Sequence, residues 1–218
     1  MKLRNGSSMI ELVIAIVVMG IAMMTLPMML TTVQNNNTFA LQQEAILMTR
    51  TQLGDIMTYP WDDKSEDNSF NIGILDTSGD SDFNRTNRVG LVKADKRRKF
   101  FTTVTPATLP INLGQDAGDY DDIDDFDTKN MHLSPSSDTN ATIGYKTDSN
   151  MTISVKYIDD NTSYPLTTFD FNASSTPAGT TNIKMIEISL TNSLLDNNIT
   201  LRSFSSNIGA NQLLRRTF

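Results

Sequence analysis

Six aspartates crowd into the stretch GDYDDIDDFD: Asp119, Asp121, Asp122, Asp124, Asp125 and Asp127. Carboxylates this close repel one another unless something offsets their charge. A hard cation is one answer, because Ca2+ takes oxygen ligands only. The spacing is not that of an EF-hand, since Ile123 occupies a ligand position and no glycine follows where the loop needs one. The other answer is a short helical turn. Tyr120, Ile123 and Phe126 are three apart and would anchor it, with the aspartates facing water. Both readings stand on the sequence, and Ca2+ is the one cofactor it suggests.

A second carboxylate raises a different question. Glu11 stands near the start of a long apolar run, and residues 12–33 carry no charge at all. About 20 apolar residues span a bilayer, so Leu12–Val33 is long enough. A carboxylate in hydrocarbon costs roughly 2.5–3.5 kcal/mol on insertion scales and calls for a partner. Lys2 and Arg4 precede the run. Positive residues stay on the cytoplasmic side, which predicts an N-terminus inside and the remainder outside. No small-x-small cleavage site follows Met24, so the segment is expected to be retained.

The leader KLRNG followed by SSMIELVIAIVVMGIAMM resembles the class III leader and N-terminal helix of type IV pilins and type II secretion pseudopilins. The resemblance implies that a prepilin peptidase cuts after Gly6 and that the new terminus, Ser7, is N-methylated. Ser7 stands where the family usually has Phe or Met. Glu11 falls at the fifth position counted from Ser7, where the family has its glutamate. The family logic supplies the missing partner. Cleavage creates an α-ammonium at Ser7, and in a filament that charge meets Glu11 of a neighbour. A paired ion in low dielectric costs much less than a lone one, and a buried polar group fixes register.

TYPWDD after the helix, DYDDIDDF, and ITLRSFSSNIGANQ near the end together look like the minor pilin D family of mannose-sensitive haemagglutinin (MSHA) pilus systems. The resemblance implies a subunit at a filament tip or one that primes assembly. Its partners would be other pilins of the same filament, the prepilin peptidase, an inner-membrane assembly platform, and membrane lipid before assembly. It would sit first in the inner membrane as a single-pass protein and then in a periplasmic or cell-surface filament. Two other readings share parts of the pattern. A type II secretion pseudopilin shares every N-terminal feature, and a membrane-anchored adhesin or binding domain that never assembles shares the anchor.

The elements that must carry these groups follow from periodicity. The sequence divides into a leader over 1–6, a transmembrane or filament-core helix over 7–33, an amphipathic continuation over 34–58, and a β-rich periplasmic or extracellular domain over 59–218. The helix is predicted from about Ser7 to Thr58, roughly 75–80 Å at 1.5 Å per residue. Phe39, Ile46 and Leu53 are seven apart and Met57 follows, which predicts the stripe that packs on a sheet. Pro27 is expected to kink or locally open the helix. Asn35, Asn36 and Asn37 mark a softened junction, and Tyr59-Pro60 ends the helix. The many methionines of the first half read as packing rather than chemistry. Strands are predicted over Lys99–Thr105, Thr152–Ile158, Asn182–Leu190 and Ile199–Phe204. The fold class is therefore α+β, a pilin fold with a long N-terminal helix packed on an antiparallel sheet.

Other chemistry is sparse. His132 is the single histidine, and with Ser134 and Asp138 it lacks the third group that orients a catalytic base. No phosphate loop, dinucleotide fingerprint or zinc spacing occurs, so the chain reads as a peptidase substrate and not as an enzyme. With no cysteine, disulfides are excluded. The net charge is -7, and the one basic cluster, KADKRRKF at 93–100, reads as a solvated strand entry. Nucleic acid, which needs clustered Lys and Arg, is not expected as a partner.

One further pattern stands out. Downstream of the leader, Asn-x-Ser/Thr occurs at Asn36, Asn84, Asn140, Asn150, Asn161, Asn172 and Asn198. Six of the seven have Asp two residues earlier, where composition predicts about one. The pattern resembles the extended acceptor used by an N-oligosaccharyltransferase of some Gram-negative bacteria. It also suits a recurring Asp-x-Asn turn. Asn84, Asn140, Asn161 and Asn172 are the glycosylation candidates on sequence grounds, because Asn150 and Asn198 border predicted strands.

Overall fold

The computed structural model describes residues 9–65, 73–78, 105–116, 118–135, 145, 147–159, 173–195 and 197–209. The leader with Gly6 and Ser7, the basic cluster at 93–100, nearly all of the strand expected over Lys99–Thr105, and Asn84, Asn140, Asn161 and Asn172 lie outside these residues. The chain divides into two units, Met1–Glu44 and Ala45–Phe218.

Helix α1 runs over Met9–Ile56, 48 residues without a break. Its helical assignment continues through Pro27 and through Asn35–Asn37, so the asparagines do not interrupt it. The threonines help to hold the line: Thr31 and Thr32 both donate to the Met28 carbonyl, and Thr38 donates to that of Gln34. In the first unit the apolar side chains stand bare, with Ile10 68 % and Val18 59 % exposed. At the far end the last turn tightens. Thr58 N–H donates to Asp55 O and Tyr59 N–H to Ile56 O, and Pro60 follows.

In the second unit four strands form an antiparallel meander in the order β1-β2-β3-β4. They are β1 (Asn130–Leu133), β2 (Ser149–Tyr157), β3 (Ile183–Asn192) and β4 (Ile199–Ser206). Three match expected strands, and β1 was not anticipated. It is four residues long and pairs with β2, with Asn130 and His132 exposed and Met131 and Leu133 half-buried against the core. Alternation sets the core: Met151, Ile153, Val155 and Tyr157 on β2 turn inward, as do Ile186, Ile188 and Leu190 on β3. The resulting arrangement is α+β, with a long apolar N-terminal helix and a four-stranded antiparallel sheet.

The face that the helix turns to this core matches the expected stripe only at Leu53. Ala45, Thr49 and Ile56 are buried, with Met48 and Leu53 packed beside them. Phe39, Ile46 and Met57 are exposed instead. The two stripes lie roughly 95° apart around the helix at 100° per residue. Ala45 and Thr49 present small side chains to the core, and the Thr49 hydroxyl is satisfied by the Ala45 carbonyl at 2.8 Å. Phe39, Ile46 and Met57 form a second, exposed stripe.

Candidate functional site

Two places concentrate charge where charge is costly. The first is Glu11, in the opening turn of α1 and at the head of the exposed apolar run. A helix N-terminus favours an acid there. The helix is long and apolar enough to cross a membrane.

The second is buried in the C-terminal unit. Lys184 on β3 is fully shielded from solvent. Its ammonium makes three contacts, one for each of its protons: Trp61 O at 2.6 Å, Asp124 Oδ1 at 2.6 Å and Asp62 Oδ2 at 3.4 Å. The Trp61 ring lies beneath it, 4.1 Å from nitrogen to centroid. Tyr157, the cross-strand neighbour of Lys184, borders the same pocket and donates its hydroxyl to Thr108 O at 2.6 Å. Asp62 is held in turn by backbone N–H groups of Lys64 and Thr108.

The aspartate-rich stretch supplies the other half of this site. A 3-10 turn over Asp124–Phe126 buries Ile123 and Phe126, and Tyr120 packs at its edge, as the three-residue spacing predicts. The aspartates do not all face water, however. Asp119 and Asp121 are exposed, whereas Asp122, Asp124 and Asp125 are buried. Asp125 accepts from the N–H groups of Asp116, Asp121 and Asp122. Asp122 accepts from the N–H of Asp63 and of Asp125. Half-buried Asp127 accepts from Val155 N–H at 2.7 Å. The repulsion is relieved by backbone donors and by one lysine from a distant strand.

These assignments bear on Ca2+. Four of the six carboxylates already serve N–H groups or the Lys184 ammonium. Among the described residues no three acidic or histidine side chains are grouped to hold a metal ion. The donor set does not fit the ion.

Protonation follows from burial. Desolvation and the adjacent Asp124 carboxylate push Asp122 up to about 8, against a weaker pull from Lys184. Asp122 and Asp124 are hydrogen-bonded to each other. Burial raises Asp124 as well, against the pull of the Lys184 ammonium, and the two adjacent carboxyls share a proton. Burial also raises Tyr157, which stays neutral.

Sequence reasoning missed Lys184 and Asp62. A signal for Lys184 was present: it shares strand parity with Ile186, Ile188 and Leu190, so the alternation that points them inward points it inward too. His132 is exposed on β1, with Nδ1 2.8 Å from Asn150 Oδ1 and Nε2 3.9 Å from Asp148. Ser134 is exposed nearby.

No family model matches the chain, and neither a curated protein nor a solved structure does.

Proposed function

We propose that the chain is a minor pilin-like structural subunit of a type IV pilus of the MSHA kind, cut by a prepilin peptidase between Gly6 and Ser7, N-methylated at Ser7, and assembled through α1. One observation carries the reading: a continuous helix of 48 residues bears a bare apolar run with Glu11 at its head. The sheet-backed end of the same helix supports a pilin fold. The outward stripe of Phe39, Ile46 and Met57 adds apolar surface beyond what a bilayer crossing needs.

On this reading the domain presents its turn-rich surface outward and does no chemistry of its own. The Ser7 ammonium of one subunit pairs with Glu11 of the next, so an unprocessed or misaligned neighbour leaves a carboxylate in low dielectric. Replacing Glu11 with Ala tests the idea in cells making native filaments. Immunogold labelling should find the wild-type chain in filaments and the variant in the inner membrane. Equal labelling of filaments by both would contradict it. Deleting the chain separates the pilus from a type II secretion pseudopilus: the first predicts altered surface filaments, the second a loss of secreted enzymes.

A further inference from the structure

Lys184, Asp124 and Asp122 meet where water does not reach. All three side chains are buried, and so are Asp62, Trp61 and Tyr157 around them. The other ion pairs among the described residues, Arg202 with Glu187 and His132 with Asp148, are open to solvent. An amine is a nucleophile once it gives up its proton, and a carboxylic acid is an electrophile toward it. Here the two are already in contact, with Nζ 2.6 Å from Asp124 Oδ1. The carbon to be attacked is one covalent bond beyond that oxygen. A second acid stands beside the first, since Asp122 is hydrogen-bonded to the Asp124 carboxyl. A second acceptor stands beside the amine, since Asp62 Oδ2 lies 3.4 Å from the same Nζ.

We propose that Lys184 and Asp124 join through an amide bond between their side chains, with Asp122 as the catalytic acid and Asp62 as the proton acceptor. Holding the reacting groups together supplies the effective concentration that such a condensation lacks in water. Burial opposes charge on Asp124, so a proton can cross from the ammonium to the carboxylate. The neutral amine then adds to Asp124 Cγ. Asp122, kept protonated up to about 8 by burial and by the Asp124 charge, gives its proton to the departing hydroxyl. The nitrogen sheds one proton to Asp62. One C–N bond forms, one C–O bond breaks and one water leaves, with no oxidant, nucleotide or metal consumed. The Trp61 and Tyr157 rings, packed edge to face with centroids 6.0 Å apart, keep bulk water from reversing the step.

The ion pair is the state before this reaction, and newly made chain holds it. The reaction happens once, on the chain itself, so it acts on no outside substrate. Its product ties strand β3 to the aspartate-rich turn across 60 residues of sequence. The inference stands whether or not the chain enters a filament.

The test is intact mass and tryptic mapping of the full-length chain purified from its native host. Aged chain should weigh one water less than newly made chain. Trypsin should release one branched peptide joining the segments that hold Asp124 and Lys184, and it should not cut after Lys184. Lys184→Arg keeps the charge without the amine, and it should show no loss of water. Asp122→Asn keeps both reacting groups and should slow the joining about 100-fold, followed by intact mass after synthesis is stopped. Separate linear peptides for the two segments in aged wild-type chain overturn the inference, whatever the variants do. A loss of water that maps to any other peptide overturns it as well. Joining in Asp122→Asn at the wild-type rate overturns the role given to Asp122.

Discussion

Lys184 Nζ lies 2.6 Å from Asp124 Oδ1, and both side chains are buried. With Asp62 this contact ties three distant pieces of chain: the exit of the long helix, the aspartate-rich turn and strand β3. In a chain without cysteine, such a knot takes the place that a disulfide often fills. Removing one partner of a buried pair is costlier than the pair is worth, because the other charge stays behind. Lys184→Met should therefore leave Asp62 and Asp124 facing each other without a cation. Urea unfolding monitored through the Trp61 signal should register a loss of about 3–5 kcal/mol. A loss within about 0.5 kcal/mol, the range of an ordinary surface change, would mean that the knot is not formed in solution.

Asp122 gives stability an unusual pH slope. Its carboxyl titrates at about 8 in the fold, against 3.8 for the free side chain. Between those values the folded chain holds one more proton than the unfolded chain. Unfolding free energy contributed by this group thus falls as pH rises through that window. The contribution is full at the acid end and gone once the pH passes about 8. Asp122→Asn keeps a neutral donor toward Asp124. It should flatten the slope and exceed the wild type in thermal stability above that pH. Parallel pH profiles for the two proteins would contradict the assignment of the shared proton.

The two stripes of α1 can be tested separately, one for folding and the other for assembly. Ala45→Leu forces a larger side chain between helix and sheet, and overpacking of this kind costs about 1–3 kcal/mol. Ile46→Ser, on the outward stripe, should leave the thermal midpoint of the domain within a degree or two. If the outward stripe meets a neighbour in a filament, the same Ile46→Ser chain should enter filaments poorly. Immunoblots of sheared filaments measure this, and normal incorporation with an unchanged midpoint would assign that stripe no role in assembly.

Much of the architecture was legible because it rests on local patterns. The uncharged run after Glu11 specifies its helix, and two-residue alternation specifies β2 and β3. What escaped the sequence depends on residues far apart. Lysine is almost never fully buried unless paired, and the partners of Lys184 lie on segments 122 and 60 residues away. The aspartates looked solvated for the same reason, since their neutralising lysine and backbone donors arrive only with the tertiary fold. The helix face was misplaced in part: Leu53 is on the contact as its spacing predicts, but small Ala45 and Thr49 share that face and carry little hydrophobic signal, whereas Phe39, Ile46 and Met57 stand exposed. Strand β1 alternates polar Asn130 and His132 with apolar Met131 and Leu133, but four residues are too few for that pattern to stand out before the pairing with β2 is seen.

If a processed neighbour supplies the positive terminus that makes Glu11 tolerable, the chain taken from native cells has lost its first six residues. Mass spectrometry of its N-terminal peptide should find Ser7 first, carrying one methyl group. A chain that begins at Met1 with Lys2 and Arg4 still attached would contradict that pairing.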